Sequence, residues 1–280
     1  MCGRFTSRSP VADVAAWFDV DEVVADGERR PRYNVAPTDE VLVVASSSDG
    51  SIRRLGEARW GLVPGWASGP EVGARMINAR AETLLDKSAF RRSFARRRCI
   101  VPADGFYEWE HPGTEGPAAV GTGAAGRRKA TSRAKRRQPW YIEPTGSPFF
   151  AFAGLWESWR PPGDGTERLV SCTIVTTAAN GAIAALHGRM PVLLERDDWD
   201  AWLDPDNQDV AELRALLLPA PDDAVSLRQV GRAVGDVRND GPELLEPPDD
   251  ATGASPDPET DADPVLFELG DQPSAARHLS

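Results

Sequence analysis

Five runs of β-branched and aromatic residues succeed one another through the middle of the chain. They are VLVVAS (41–46), GFYEW (105–109), PWYIE (139–143), FFAFAGLWESW (149–159) and LVSCTIVTTA (169–178). Runs of this composition that are bounded by Gly, Pro or charged residues are typical of strands. Because the strands follow one another without regularly alternating helices, the sequence predicts an α+β fold with a mainly antiparallel sheet.

Four short segments carry helical patterns, namely 10–18, 87–97, 195–204 and 209–218. Ser9 is expected to cap the first helix, with Pro10 in its first turn and with Val14, Trp17 and Phe18 on its apolar face. In the second segment, KSAFRRSFARR, two phenylalanines lie four residues apart. That spacing predicts an amphipathic helix with an arginine-rich outer face.

The length of 280 residues and the 41% hydrophobic content are enough for one main domain. We assign it to residues 2–248. Residues 249–280 hold eight acidic residues and one arginine, so −7 of the formal net charge of −11 lies there. This composition predicts a disordered acidic tail. Residues 110–138 are glycine-rich and end in a basic cluster, which predicts a flexible insertion. This insertion is either a solvated loop without a role or a segment that binds phosphates weakly through its positive charges.

No stretch is long and apolar enough for a membrane span, and the first residues lack the apolar run of a signal peptide. The sequence therefore predicts a cytoplasmic protein without a membrane partner. The three cysteines have scattered spacings and form neither a disulfide framework nor a zinc-ligand pattern. Together with the absence of a phosphate-binding glycine loop, this predicts neither a metal nor an organic cofactor.

The chain begins MCGRFT, with a cysteine directly after the initiator methionine. If Met1 is removed, Cys2 carries a free α-amine and a thiol on adjacent carbons, which is a reactive 1,2-aminothiol. Cys99 and Cys172 lie in apolar runs and are interpreted as buried packing residues. Since lysine is scarce, Lys87 is the only lysine outside the insertion that could supply another amine.

Two residues are candidates for proton transfer. His187, in ALHGRMPVLL, is the histidine expected to be fixed by the fold, as a catalyst or as a hydrogen-bonded core residue. Glu108 alternates with Tyr107 and Trp109 in GFYEW, so its side chain lies on the face opposite theirs. If that face is the inner one, Glu108 suits acid–base work; if it looks to water, the residue is an ordinary surface carboxylate.

Two further segments, RWGLVPGW (59–66) and ARMINARAET (74–83), offer polar and aromatic side chains for binding. Trp60 is assigned to the core, whereas Trp66 follows a Pro-Gly turn and is expected to be partly exposed, where it could stack on a base. Asn78 and Arg80 share one side of an extended segment. They could orient a polar substrate and bind a phosphate, or they could simply anchor a loop.

Taken together, these segments resemble the SRAP (SOS-response-associated peptidase) family. The similarity runs in order from residue 2 to about residue 248. It rests on MCGRF at the start, YNVAPT (33–38), WGLVPGW (60–66), NARAET (78–83), RRCIVPADGFYEW (97–109), HGRMPVLL (187–194) and VRNDGPELLEP (237–247). The insertion at 110–138 is longer than is expected for the family, and the acidic tail is not expected in it. Neither segment overlaps one of these motifs.

The resemblance implies a compact single domain of curved antiparallel sheets that form a barrel-like core with flanking helices. It also implies binding to single-stranded DNA that contains abasic sites, a covalent link to the abasic site through Cys2, and autoproteolytic removal of Met1. The implied active-site partners of Cys2 are Asn78, Glu108 and His187. The implied DNA contacts are Arg4, Asn34, Trp66, Arg80 and Arg189.

These implications predict a monomer that associates with the nucleoid when it is bound to DNA. Lyase-type activity is a further expectation of this hypothesis. Two other classes of function stay open from the residues alone. One is a thiol peptidase that acts on other proteins through a Cys2–His187 ion pair. The other is a single-strand-binding module that forms no covalent adduct.

Overall fold

The computed structural model describes residues 2–110, 137–162 and 168–248. The strands are β1 (Phe5–Ser7), β2 (Glu22–Val23), β3 (Arg32–Val35), β4 (Glu40–Ser46), β5 (Arg53–Trp60), β6 (Asn78–Arg80), β7 (Arg98–Ala103), β8 (Gly105–Trp109), β9 (Pro139–Pro144), β10 (Phe150–Trp159), β11 (Leu169–Ala178), β12 (Arg189–Pro191) and β13 (Val225–Gln229). The α-helices are α1 (Val11–Trp17), α2 (Ser88–Arg96), α3 (Gly181–Ala184), α4 (Trp199–Leu203) and α5 (Val210–Ala215). Short 3₁₀ turns lie at Pro70–Arg75, Ala81–Thr83, Arg196–Asp198, Asp222–Ala224, Arg232–Gly235 and Pro242–Leu245.

All five predicted strands are confirmed as β4, β8, β9, β10 and β11. The helices predicted at 87–97 and 209–218 are confirmed as the shorter α2 and α5, and the one at 195–204 is a 3₁₀ turn followed by α4. The predicted acidic tail and nearly all of the insertion, residues 111–136, lie outside the described residues.

The predicted cap of the first helix is wrong. Pro10 is the N-cap residue of α1, and no side chain caps this helix. The hydroxyl of Ser9 instead donates to the carboxylate of Asp104, which also accepts the backbone N–H of Arg8 at 2.7 Å. Asp104 is buried and lies 96 residues after Arg8 in the sequence. Its carboxylate therefore binds the Ser9 hydroxyl that the local sequence pattern predicted as the helix cap.

Five strands close into a ring. The order β5–β4–β7–β10–β11 is built from antiparallel pairs, and β11 then pairs with β5 in parallel at Ser171↔Arg59 and Cys172↔Trp60. The ring has no free edge along these pairings, which removes the hazard of open strand edges. The predicted α+β fold with a barrel-like core is therefore confirmed.

Alternate side chains along each strand point into or out of the ring. The inner set forms one core with residues of β1 and β8, and its ring members include Val43, Trp60, Val101, Phe152 and Cys172. The outer set packs against the helices, and its members include Val44, Leu55, Ile100, Leu155 and Val175. Cys99, Cys172 and Trp60 are fully buried, as predicted.

The two ends of the ring differ. Strands β5, β7 and β11 run in one direction, and they finish beneath a second sheet with the order β13–β9–β8–β1–β3. Phe5 of that sheet contacts Trp60 with ring centroids 5.1 Å apart, and Phe106 contacts Phe150 at 5.7 Å. We call this the covered end and the opposite end, where β7 begins at Arg98, the open end. No helix in the described ranges has the length and apolar composition of a membrane span.

Candidate active site

Cys2 lies shortly before β1, which is held between β3 and β8 in the sheet over the covered end. The carbonyl of Arg4 accepts the N–H of Tyr107 at 3.0 Å, and Phe5 pairs with Phe106. Cys2 is fully buried in the core shared by the ring and the second sheet. Burial raises the pKa of the Cys2 thiol well above its ordinary value, and the negative charge of Glu108 raises it further.

Glu108 is on the inner face of β8. It pairs with Trp140 of β9, and it shares its face with Phe106, while Tyr107 and Trp109 pack in a separate cluster on the other face. The carboxylate residue is only 4% exposed. The sequence left open whether the Glu108 side chain faces the core or water, and the structure places it on the inner face. Its negative charge is close enough to Cys2 to raise the pKa of the thiol.

Asn78 joins the covered end to the start of the chain. It begins β6, which pairs in parallel with β11 at Asn78↔Ile174, and its Nδ2 donates to the backbone carbonyl of Cys2 at 2.8 Å. Its Oδ1 is buried and has no hydrogen-bond partner in the described part of the chain. Since buried amide oxygens are nearly always paired, this oxygen is ready to accept a hydrogen bond from a further donor beside Cys2.

His187 lies between α3 and β12. The Asn180 side chain caps α3 by accepting the N–H of Ile183 at 3.0 Å, which fixes the segment that leads to the imidazole. Nδ1 of His187 accepts the backbone N–H of Arg189 at 2.9 Å. In the tautomer that accepts this bond the ring proton is on Nε2. The same Nδ1 also lies 3.2 Å from the carbonyl oxygen of Arg189, to which the other tautomer would donate.

Arg189 and Arg80 lie on either side of the last residues of β11. Arg80 is opposite Thr176 in the β6–β11 pairing and is exposed. Arg189 donates to the Thr176 carbonyl at 2.6 Å and forms a two-pronged ion pair with Glu82. Glu82 was not among the residues predicted from the sequence, although it continues the alternation of Asn78 and Arg80 within NARAET.

Trp66 lies in the loop after the Pro-Gly turn. Its side chain is 63% exposed, which makes it one of the most exposed large apolar side chains of the described residues. The residue next to it, Ala67, is buried and accepts the indole N–H of Trp159 at 2.8 Å. The loop is thus anchored while the Trp66 ring faces solvent, as the turn predicted.

Asn34 and Arg4 form a buried junction rather than two separate surface groups. The Asn34 amide donates to the carbonyls of Val234, Asp236 and Asn239 at 3.2, 3.1 and 2.8 Å. Its Oδ1 accepts from the Arg4 guanidinium at 2.8 Å, and the residue is 1% exposed. The structure therefore places Arg4 near the covered end and uses Asn34 to hold it against the 234–239 segment.

Replacing Asn34 with alanine is expected to destabilise the fold, because three carbonyls and a guanidinium lose a buried partner. The expected cost is about 2–4 kcal/mol, or a melting temperature lower by about 5–15 °C. Thermal unfolding of Asn34→Ala measures this, with Asn239→Ala as the control because that side chain makes one bond, to Ala233. An unchanged melting temperature with weakened DNA binding would instead support a direct DNA contact.

The chain matches the sequence profile of the SOS response associated peptidase family over residues 1–237. This chain belongs to the SRAP family. The active-site geometry described above therefore lies almost wholly within the SRAP match.

Several SRAP relatives carry a descriptive name. The chain is 41% identical over 246 residues to the "Abasic site processing protein YoqW" of Bacillus subtilis, a match that covers 88% of this chain and 99% of that protein. It is 32% identical over 238 residues to the "Abasic site processing protein HMCES" of Gallus gallus, covering 81% of this chain and 69% of that protein.

Solved structures share the SRAP chain's fold. A protein from Bacteroides thetaiotaomicron superposes with a TM-score of 0.71 at 23% identity, covering 88% of this chain and 99% of that one. A phage-related protein from Bordetella bronchiseptica has a TM-score of 0.57 at 27% identity, covering 83% of this chain and 98% of that one. The barrel and its covering sheet are thus a fold that other proteins also adopt.

Proposed function

We propose that this protein processes abasic sites in single-stranded DNA by forming a covalent crosslink through Cys2 after removal of Met1. The names of the SRAP relatives support the choice of substrate. The observation that carries the mechanism is the burial of Cys2 beside Glu108, with its carbonyl held by Asn78. A second-position cysteine that is fully buried is unusual for a chain start, because chain termini are generally the least ordered parts of a domain.

The proposed first nucleophile is the α-amine that Cys2 gains when Met1 is removed. An α-amine with a pKa near 7.8 is about one-third neutral at pH 7.5, whereas an ordinary lysine is only about 0.1% neutral. An abasic site is in equilibrium with a small amount of open-chain aldehyde, which reacts with neutral amines. The chain start therefore offers a few hundred times more available nucleophile than a typical lysine such as Lys87 would.

The proposed reaction has two steps that balance. The amine adds to the aldehyde carbon and one water leaves, which gives an imine. The Cys2 sulfur then bonds to the imine carbon while the thiol proton ends on the nitrogen, which closes a five-membered thiazolidine. Ring closure within one residue is strongly favoured by proximity. Without it, the imine would permit strand cleavage by β-elimination, which is the lyase-type reaction.

Proton transfers in these steps are assigned to Glu108 and His187. Glu108 accepts the thiol proton and returns a proton to the nitrogen, since it lies close enough to Cys2 to affect the thiol pKa. His187, with its proton on Nε2, donates to the sugar ring oxygen as the hemiacetal opens. Asn78 orients the amine, for which its unpartnered Oδ1 is a suitable acceptor.

The raised thiol pKa favours this scheme over the thiol-peptidase alternative. A conventional thiol peptidase needs a thiolate paired with an imidazolium, and its cysteine pKa is accordingly lowered. In this protein burial and the Glu108 charge both act in the opposite direction on Cys2. A neutral thiol is well suited to the second step of crosslinking, where it follows the amine and transfers its proton as it attacks.

Further parts of the proposal concern DNA and cellular context. Arg4, Arg80 and Arg189 hold phosphates near the covered end, and Trp66 stacks on a base. Asn34 contributes by fixing Arg4. Residues 2–248 are the active unit, which removes its own Met1 by hydrolysis and works as a cytoplasmic monomer that joins the nucleoid when bound to DNA.

Intact-mass measurement of the adduct tests the proposal. Mixing the protein with a single-stranded oligonucleotide that carries one abasic site is expected to give a heat-stable species. Its mass should equal protein without Met1 plus oligonucleotide minus one water. A variant in which an extra, uncleaved residue precedes Cys2 should give none, because its amine is an amide. An adduct from that blocked variant, or no adduct from protein that has lost Met1, would contradict the proposal.

A further inference from the structure

The outer face of α2 is basic. The helix buries Phe90 and Phe94 against the barrel, and Arg91 and Arg92 point to solvent. Lys87 precedes the helix and is also exposed. We call the side chains of Lys87, Arg91 and Arg92 the α2 basic face.

This face begins next to the candidate active site. The 3₁₀ turn Ala81–Thr83 directly follows Arg80, and Glu82 within it forms the ion pair with Arg189. The chain then reaches Leu85, whose carbonyl accepts the Nε–H of Arg91 at 2.8 Å. The phosphate-binding groups proposed at the covered end are therefore linked to the α2 basic face by one short, hydrogen-bonded segment.

The orientation of α2 carries the face away from Cys2. Only Arg97 separates the helix from β7, which begins at the open end, so the C-terminal end of α2 lies there. The contact of Arg91 with the Leu85 carbonyl ties the other half of the helix to the short segment that follows Arg80. With a rise of about 1.5 Å per residue, the nine residues of α2 extend about 13 Å along the barrel wall.

The cations of this face are not neutralised by neighbouring carboxylates. Arg96 and Arg97, nearer the open end, pair with Asp206 and Glu157. No ion pair within the described ranges joins Lys87, Arg91 or Arg92 to an acidic side chain. In a chain with a net charge of −11, a local run of unneutralised cations marks a place where anions collect.

We propose that single-stranded DNA leaving the active site runs along α2, with its phosphates on the α2 basic face. This inference rests on the proposed function, because it extends the strand held by Arg80 and Arg189. The contacts are to the backbone, so they add affinity and fix the path of the strand without selecting a sequence. A face that serves only for solubility would show no dependence on the length of the DNA.

The test measures non-covalent binding of undamaged oligonucleotides of two lengths over a range of salt concentrations. One oligonucleotide covers only the Cys2 site, and the other is long enough to reach along α2. For Arg91→Gln/Arg92→Gln, affinity for the long strand should fall about tenfold at low salt. Log affinity decreases linearly with log salt concentration, and the steepness of this decrease should be smaller by about 1.4 in the variant. Each lost phosphate contact to single-stranded DNA removes about 0.7 from that steepness. Affinity for the short strand should stay unchanged.

The matched control is Arg54→Gln/Arg196→Gln, which removes the same charge from arginines paired with Glu22 and Asp19. It should leave the slope unchanged. Equal losses in both variants, or no length-dependent loss in the α2 variant, would overturn the inference. A parallel assay measures crosslinking to a short oligonucleotide with one abasic site, which tests the proposed function separately. The α2 variant should crosslink this oligonucleotide as fast as the unaltered protein does.

Discussion

Cys2→Ala is expected to form no heat-stable adduct with an abasic oligonucleotide, a loss of at least about a hundredfold against the unaltered protein. Alanine keeps the α-amine, so an imine still forms, but no sulfur is present to close the ring. The open imine is reversible and permits β-elimination, so the abasic strand should be cleaved more often instead of being captured. A denaturing gel after heating shows both products.

The control for this experiment is Cys172→Ala. Cys172 is also fully buried in the inner core, where burial raises its thiol pKa to about 12, but it lies in the ring opposite Trp60. Its replacement should cost roughly 1 kcal/mol of stability and leave crosslinking intact. A stable adduct from Cys2→Ala would show that the thiol of Cys2 is not the ring-closing group. Loss of the adduct in a folded Cys172→Ala protein would show that the requirement for a cysteine is not specific to Cys2.

Glu108→Gln is expected to slow crosslinking by about 10²–10⁴-fold, the usual contribution of a general acid–base group. Glutamine keeps the shape of the side chain but cannot carry the thiol proton to the nitrogen. DNA binding should hardly change, because the side chain is 4% exposed. Single-turnover rates at saturating DNA measure the effect separately from binding.

The same substitution distinguishes the two uses of the thiol. The charge of Glu108 is one cause of the raised Cys2 pKa, so removing it lowers that pKa and increases the thiolate present at any given pH. The pH dependence of thiol alkylation measures this change. If a thiolate were the reacting species, Glu108→Gln should react faster; if Glu108 transfers protons, it should react more slowly. A faster reaction would therefore contradict the assignment of Glu108.

Local sequence patterns predicted five strands, three of them in the ring, and the burial of Cys99 and Cys172, because alternation and β-branched composition act within a few residues. The spacing of Phe90 and Phe94 predicted α2 for the same reason. The ring strands β5 and β7 were not predicted. The closing pair of the ring could not be read from such patterns, since it joins Trp60 to Cys172 in parallel across more than a hundred residues. Similarly, the face of β8 that carries Glu108 is the inner one only because the sheet that contains β8 packs over the covered end of the ring.

The candidate site shows the same limit. The DNA contact that the resemblance implies for Asn34 stays a prediction, but the sequence did not predict that its amide binds the 234–239 segment, about 200 residues further along the chain. Ser9 had a suitable position for a helix cap, yet the buried Asp104 takes its hydroxyl. In both cases a polar side chain found a distant buried partner, and sequence spacing gives no measure of such competition.

The buried position of Cys2, shortly before the paired strand β1, limits how this protein can be altered. Any peptide that stays attached before Cys2 converts the proposed nucleophile into an amide, so an N-terminal tag or fusion would be expected to yield a folded but unreactive protein. Circular permutation is excluded for the same reason, because joining the old ends would remove the amine. Tags belong at the other end, after residue 248, where an added sequence leaves β1 and its partners untouched.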